Sequence, residues 1–324
     1  MTRNVTHQDI ANRVGVSRTT VSLVLNCQST KRVAPALAER IRAEAQAMGY
    51  VTNRLARTLR TGESNVLALV VPKVDSPFFG AVYLGAESAA NAAGYTLSLV
   101  RSRNTQNTQE IVVQHLVERA VDGFVLWQPM NPSMTKRYAN RIVTVEHRIP
   151  GVSSVEFAVN QAMHTLLSHA NKRYQSIIHL TVDLPDATFV MRREAFVAFG
   201  QQYPSVQMRQ IRVPFDFGQI IRILLPLFEA QRDQPTLYCC DDDMLAAAVY
   251  HMAYRQTQPI PQQVAVMSLG GSAVAELLFP TLTHIKLPAF ELGSHAIRFL
   301  ISTLHGHAPQ SMVLPGAFVQ GHST

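Results

Sequence analysis

Two hydrophobic rhythms divide the chain. Up to about residue 62, apolar residues recur at helical spacing: Ile10, Ala11 and Val14, then Val21, Val24 and Leu25, then Leu37, Ile41, Ala45 and Met48. Steps of three and four place each set on one helix face. Punctuation between the sets agrees. Thr6 followed by Asp9 makes a capping-box-like start, Gly15 breaks the first helix and Ser17 caps the second. Pro35 suits the first position of a third helix, and Gly49 its C-terminal exit. Two short helices joined by a tight glycine turn predict a helix-turn-helix.

From residue 66 the rhythm changes. Val66, Leu67, Ala68, Leu69, Val70 and Val71 form an unbroken apolar run, suited to a strand buried on both faces of a parallel sheet. A helix over 79–93, a strand over 95–100, a helix over 106–120 and strands over 123–127 and 142–146 follow. After a looser stretch over 150–157, further strands are predicted near 176–181, 208–213, 236–239, 264–269 and 283–287. Helices lie between them and again over 291–304. Such alternation implies parallel sheets covered by helices, here two α/β lobes. Ligands of these sheets bind beyond the carboxyl ends of the strands, which places the expected site in the cleft between lobes.

Charge sharpens the division. The chain of 324 residues carries a formal charge of +7. Residues 1–62 hold ten Lys/Arg and three acids, while the rest of the chain carries nineteen of each. A basic head on a neutral body is the electrostatic footprint of a nucleic-acid-binding module. In a helix-turn-helix the start of the second helix enters the major groove, and that helix offers Arg18, Thr19, Ser22, Leu23 and Asn26 outward. Arg18 has the reach for a guanine edge, and Thr19 for a base edge or thymine methyl. Ser17, Thr20 and Ser22 suit phosphate.

The head is similar to the lactose-repressor (LacI/GalR) family. The residues that carry the likeness are Thr6, Asp9, Ile10, Ala11, Val14, Gly15, Val16, Ser17, Thr19, Thr20, Val21, Ser22, Val24, Leu25 and Asn26, then Gly49, Tyr50, Asn53, Ala56, Arg57 and Leu59. Two positions depart from the pattern: Ala34 stands where a capping Ser is usual, and Thr52 where Pro is usual. In the body, Val71-Pro72 with Ser76-Pro77-Phe78-Phe79, Val121-Asp122-Gly123, Pro280 with Leu282-Thr283, and Pro288 with Glu291-Leu292-Gly293 and Ala296 are similar to family motifs.

The resemblance implies a fold, a division and a function. The fold is a multi-domain one, an all-α helix-turn-helix domain plus an α/β core of two Rossmann-like lobes, periplasmic-binding-protein-like. The division is a DNA-binding domain over 1–49, a hinge helix over 50–62 and a core over 63–324. The core has one lobe over 63–158 and 289–311 and the other over 159–288 and 312–324. The function is sequence-specific DNA binding by a repressor whose effector, a sugar or sugar derivative, sits between the lobes. In the family the hinge helix orders on the operator and enters the minor groove. Leu59 takes the place of the intercalating leucine, with Asn53, Ala56 and Arg57 beside it. Thr6 and Tyr50 complete the expected DNA-facing set.

For the effector, the resemblance points to Arg192 and Asp242. A planar fork of donors at Arg192 suits hydroxyls, carboxylate or phosphate, and Asp242 stands where the family has a hydroxyl acceptor. Either neighbour, Asp241 or Asp243, is free to cap the following helix. Phe78 and Phe79 could stack on a ring or serve the core, and Trp127 ends a strand that faces the cleft. Ser76, Glu146, His147 and Phe215 complete the candidates. Where the family has an Asp-Asn pair this chain has Glu156-Phe157, and where Gly-aromatic-Asp is usual it has Ser268 to Gly271. The second acidic acceptor is therefore lost. That leaves a different effector, or a pocket that binds none, beside the simple sugar reading.

Other classes find little support. There is no Walker A loop, no G-x-G-x-x-G, no H-E-x-x-H and no G-x-S-x-G elbow, so the expectation is a binding protein rather than an enzyme. Cys27, Cys239 and Cys240 lack metal-type spacing, and Asp241 to Asp243 are consecutive residues that rarely converge on one ion. No metal or cofactor is expected. With no secretory leader and no apolar run of membrane length, the expected location is the cytoplasm. A two-fold homodimer on a pseudo-palindromic operator in double-stranded DNA is the expected assembly. No leucine heptads follow the last expected strand, which favours a dimer over a tetramer.

Overall fold

The computed structural model describes residues 5–26, 33–50, 62–102, 106–170, 173–214, 216–232 and 234–324. The chain separates into two compact units, Met1–Ser64 and Asn65–Thr324.

In the first unit α1 (His7–Val14), α2 (Arg18–Asn26) and α3 (Pro35–Ala47) pack around Ile10, Val14, Val21, Val24, Ile41 and Ala45. Local chemistry sets their ends. Thr6 and Asp9 form a reciprocal capping box, the Asp9 N–H donating to Thr6 Oγ1 at 3.3 Å and the Thr6 N–H to Asp9 Oδ2 at 2.8 Å. Gly15 closes α1 at φ +76°, in the left-handed region that glycine adopts without a Cβ penalty. The Thr20 N–H donates to Ser17 Oγ at 3.1 Å, which starts α2. Pro35 opens α3 with no side-chain cap from Ala34. Arg13 on α1 pairs with Glu44 on α3 at 2.7 Å.

The second unit contains two six-stranded sheets. The first comprises β1 (Val66–Val71), β2 (Thr96–Arg101), β3 (Gly123–Trp127), β4 (Ile142–Val145), β5 (Ser153–Phe157) and β11 (Ser311–Leu314). Its order is β11-β5-β4-β3-β1-β2, parallel throughout. The second comprises β6 (Ser176–Val182), β7 (Gln207–Val213), β8 (Thr236–Cys240), β9 (Val264–Gly270), β10 (Thr283–Lys286) and β12 (Ala317–Val319). Its order is β12-β10-β9-β8-β6-β7, parallel except for antiparallel β12. Helices α4 (Pro77–Ala92), α5 (Gln106–Glu118), α6 (Pro132–Arg137) and α12 (Ala289–Leu304) belong to the first lobe. Helices α7 (Val159–Ala170), α8 (Ala187–Gln202), α9 (Phe217–Ala230), α10 (Asp243–Arg255) and α11 (Ala273–Leu277) belong to the second.

Burial explains the apolar runs. Leu67 to Val71, Phe124 to Trp127 and Val264 to Leu269 are buried, because helices cover both faces of each sheet. Helices α4 and α12 cross at glycine contacts. A Cβ on Gly85 would overlap the Phe290 carbonyl, and one on Gly293 the Val82 carbonyl.

Two expectations change. The stretch read as loose contains β5, whose Ser153 and Ser154 are fully buried. The Ser153 hydroxyl meets Thr303 Oγ1 at 3.1 Å, so a polar pair replaces apolar packing there. The chain also leaves the first lobe later than 311, because β11 still pairs with β5 over residues 311–314. It joins the second sheet only at β12. No described helix is long and apolar enough to cross a membrane.

Candidate functional site

A cavity of about 940 Å³ opens at the carboxyl ends of the strands of both sheets, where open α/β sheets bind ligands. Of the expected effector residues, Ser76, Phe78, Phe79, Trp127, Arg192 and Asp242 all line it. His147 does not, since its half-buried side chain lies outside the lining. Phe215 falls outside the described residues.

One wall is aromatic. Phe78 meets Phe79, Trp127 and Phe157 edge-on, with ring centroids 5.3, 5.7 and 5.9 Å apart. Phe79 meets Trp127 at 4.8 Å. Such geometry adds about 0.5–1.5 kcal/mol per pair beyond the area buried. Across the cavity the Arg192 guanidinium stands over the Phe189 ring at 5.4 Å.

The three consecutive aspartates take three different roles. Asp241 is fully buried behind the cavity. His179 Nε2 donates to its Oδ1 at 2.9 Å, while the Thr181 hydroxyl and Val182 N–H donate to Oδ2 at 2.6 and 2.9 Å. Burial alone would raise its carboxyl, but His179, Arg192 and Thr181 hold it below the usual range. Asp242, half-buried, caps α10 by accepting the Leu245 N–H at 2.8 Å. This corrects the expectation that a neighbour would be the cap. Burial pushes the Asp242 carboxyl up to about 6, and Asp243 and Asp241 add to the rise. Asp243 accepts from the Ser268 hydroxyl and the Gly271 N–H on one oxygen, and from the Ser272 N–H and hydroxyl on the other. It thus fixes the loop after β9. Among the described residues no group of acidic, His or Cys side chains could hold a metal ion.

Arg192 is buried rather than superficial, and so is its neighbour Arg193. Arg192 Nη1 donates to the Asp241 carbonyl, and Arg193 donates to the carbonyls of Val182 and Leu184 at 2.9 and 3.1 Å. The Arg192 Nε–H has no partner among the described residues.

Among the lining residues that escaped the sequence reading, two bond to each other from opposite lobes. Gln128 follows β3 and Thr188 lies in the first turn of α8. Gln128 Nε2 donates to Thr188 Oγ1 at 2.7 Å, and the Thr188 hydroxyl donates to Glu146 Oε2 at 2.7 Å. The Phe157 N–H donates to Glu146 Oε1 at 2.6 Å. This chain of bonds links the two lobes across the back of the cavity. Gln128 and Glu146 are the residues immediately after β3 and β4, and both have positive φ, +42° and +57°. That conformation is costly for a residue with a Cβ. The one available signal was position, since each follows the last apolar residue of a strand.

Burial pushes the Glu146 carboxyl up to about 7. The bonds from Thr188 and Phe157 and the charge of Arg192 oppose the rise, and Glu156 adds to it. Between about pH 4.5 and 7 the folded state therefore keeps a proton that the unfolded state has lost. Stability falls as pH rises through that window, by roughly 3 kcal/mol for this group. Glu146→Gln is expected to remove that slope. Urea titrations of both proteins at pH 5 and pH 8 check it, and parallel losses in the two would disprove the assignment.

In the first unit, Arg18 and Thr19 are exposed, while Thr20, Ser22 and Leu23 are half-buried. Hydroxyls expected to face DNA already bond within the chain: Thr6 to Asp9 Oδ2 at 2.6 Å, Ser17 with Thr20 at 2.8 Å, and Tyr50 with His7 Nε2 at 2.7 Å. Their seen role is to set helix ends and to pin Tyr50 to α1. Burial, and then the charge of Arg18, hold the His7 imidazole below its usual range. Asn26 ends α2. Asn53, Ala56, Arg57 and Leu59, and the hinge helix that would carry them, lie outside the described residues.

Comparison with known proteins finds matches in both parts of the chain. Residues 6–53 match the bacterial regulatory proteins of the lacI family, and residues 168–324 match the periplasmic binding protein-like domain. The NTD biosynthesis operon regulator NtdR of Bacillus subtilis is 24% identical, over 94% of this chain and 94% of its own. The transcriptional repressor PurR of Photobacterium profundum is 26% identical over 91% of each. Among solved structures, the Lac repressor dimer bound to operator and the anti-inducer ONPF superposes with a TM-score of 0.86, 17% identity and 99% coverage of both chains.

Proposed function

We infer, from the membership of this chain in the LacI family of bacterial regulatory proteins, that it is a repressor whose hold on DNA is set by a small molecule in the core. The relatives it matches are transcriptional regulators, and DNA binding and transcription regulation are the family's business. The finer reading rests on one observation above all. A single chain carries an exposed reading helix and, in its other unit, a lined cavity with unpartnered buried polar atoms. Buried polar atoms are almost always bonded in folded proteins, so their openness in a cavity supports a ligand. A sugar or sugar derivative is the class the family resemblance favours.

Arg18 is the proposed reader of sequence, with Thr19 beside it, and the wedge role of Leu59 extends the proposal to the minor groove. The proposal extends to a second copy of the chain as partner, for which exposed Tyr254, Leu277 and Phe279 are candidate contacts. A homodimer then matches a pseudo-palindromic operator.

The test is operator selection from a random duplex pool, followed by titration of the selected site. Arg18→Ala is expected to cost about 1–3 kcal/mol at one base pair and to relax specificity there. A uniform loss over all sequences would reassign Arg18 to phosphate. Selection of no duplex by the full chain would end the regulator reading.

A further inference from the structure

The cavity has an unusual balance between its walls and its open valences. Its buried carboxylates are already spent on the protein: both oxygens of Asp241, of Asp243 and of Glu146 accept bonds from the chain. The buried lining side chains keep two open positions among the described residues, Gln128 Oε1, an acceptor, and Arg192 Nε, a donor. Both side chains are nearly closed to solvent, at 4% and 6% exposed. A polyhydroxylated sugar brings many donors and needs many acceptors, and each one buried without a partner is costly. The fully buried part of the lining offers few.

Most of the remaining lining surface is apolar; its charged members Asp75, Arg101, Lys286 and Glu291 are exposed, and Lys73, Asp186 and Asp242 are half-buried. The edge-on cluster of Phe78, Phe79, Trp127 and Phe157 forms one side. Leu184, Met244 and Phe290 line the same cavity yet stay 39%, 45% and 46% exposed. Phe157 is buried in this wall, its ring edge-on to Phe78. The positive φ of Gln128 is a third, independent sign. Strained backbone of this kind persists where the surroundings enforce it, and it concentrates at ligand sites.

We propose that the cavity seats a flat aromatic or heteroaromatic ring against the Phe78, Phe79, Trp127 and Phe157 wall, with an N–H or O–H of the ligand donating to Gln128 Oε1 and a ligand acceptor taking the Arg192 Nε–H. This rests on the reading of the core as a ligand site and narrows its class. A free monosaccharide is disfavoured, whereas a nucleobase or a phenolic amide has the right edge and face.

Trp127 is the single tryptophan of the chain, so its fluorescence reports on the cavity alone. The full-length protein is titrated with uracil and 4-hydroxybenzamide as ring probes, and with ribose and cellobiose as polyhydroxylated probes. A saturable change is expected with at least one ring probe, with a Kd on the order of 1 mM for a fragment of this size, and none with the sugars. A response to uracil alone identifies a nucleobase-like ligand, and one to the benzamide alone a phenolic one. Gln128→Leu and Phe157→Leu should each weaken the ring probe by about tenfold, with unchanged circular dichroism as the check on folding. Saturation by a sugar but by neither ring, silence from all four probes, or ring binding that survives both substitutions would overturn the proposal. Repeating each titration with operator DNA separates the two readings. A sugar that alters DNA affinity rejects the ring and keeps the effector. A ring that binds without altering it keeps the ring and rejects effector control.

Discussion

Replacing Asp241 with alanine is expected to destabilise the core unit by about 3–5 kcal/mol. The carboxylate is fully buried and accepts from three buried donors: His179 Nε2, the Thr181 hydroxyl and the Val182 N–H. Alanine removes every acceptor at once. Each donor then keeps its desolvation cost without a bond, about 1–3 kcal/mol apiece before relaxation. The damage reaches the cavity, because the Asp241 carbonyl holds Arg192 Nη1. Urea denaturation of the two proteins measures the difference, and a loss below about 1 kcal/mol would mean that water replaces the carboxylate. Asp241→Asn separates shape from chemistry. It keeps the volume but turns one acceptor into a donor facing other donors, so it should recover little.

Gly293→Val is expected to cost about 3 kcal/mol or more in the same unit. Helix propensity alone would favour any residue but proline over glycine in mid-helix, by roughly 1 kcal/mol for alanine. Packing reverses the sign, because a Cβ at Gly293 would overlap the carbonyl oxygen of Val82 on α4. Neither side of that contact is a flexible side chain, so relief requires moving a whole helix. Gly85 makes the reciprocal contact with Phe290, so the two glycines together set the depth at which α4 and α12 cross. A thermal midpoint for Gly293→Val within a degree or two of the parent would refute the account.

The basic head was legible because its information is local. The Thr6–Asp9 box, the Gly15 break and the Ser17 cap each act within four residues, and each forms as expected. Strand β1 was legible for a related reason, since six apolar residues in a row fit a doubly covered strand. Strand β5 was hidden by its composition. Ser153, Ser154 and Glu156 read as loop, and they become strand only because β4 on one side and β11 on the other supply partners. The second of those partners lies some 150 residues further along the chain.

The cavity followed the same division. Arg192 and Asp242 were reachable through family spacing, and Trp127 through its place at a strand end. Which aspartate caps α10 was not reachable. It depends on where β8 stops and α10 begins, and one residue of shift exchanges the roles. Gln128 and Thr188 were not reachable either, because each acquires its role only when the opposite lobe delivers a partner. The candidate that failed to reach the lining, His147, follows Glu146 directly. The turn of backbone that aims Glu146 inward leaves its successor outside the cavity.

The bonds from Gln128 through Thr188 to Glu146 have a polarity, and a single proton reverses it. With Glu146 ionised, Thr188 donates to the carboxylate, the Gln128 amide donates to Thr188, and the amide oxygen is left facing the cavity. With Glu146 protonated, the carboxyl group becomes the donor to Thr188. Thr188 must then spend its own hydrogen on the amide oxygen, and half a turn of the Gln128 amide brings its NH₂ round to the ligand side. The same side chain thus asks for a donor in one state and an acceptor in the other. Arg192 favours the first state and Glu156 the second, and burial brings the exchange to about pH 7. A ring that can shift a hydrogen between its own nitrogen and oxygen would meet both forms of this wall, each with a different tautomer.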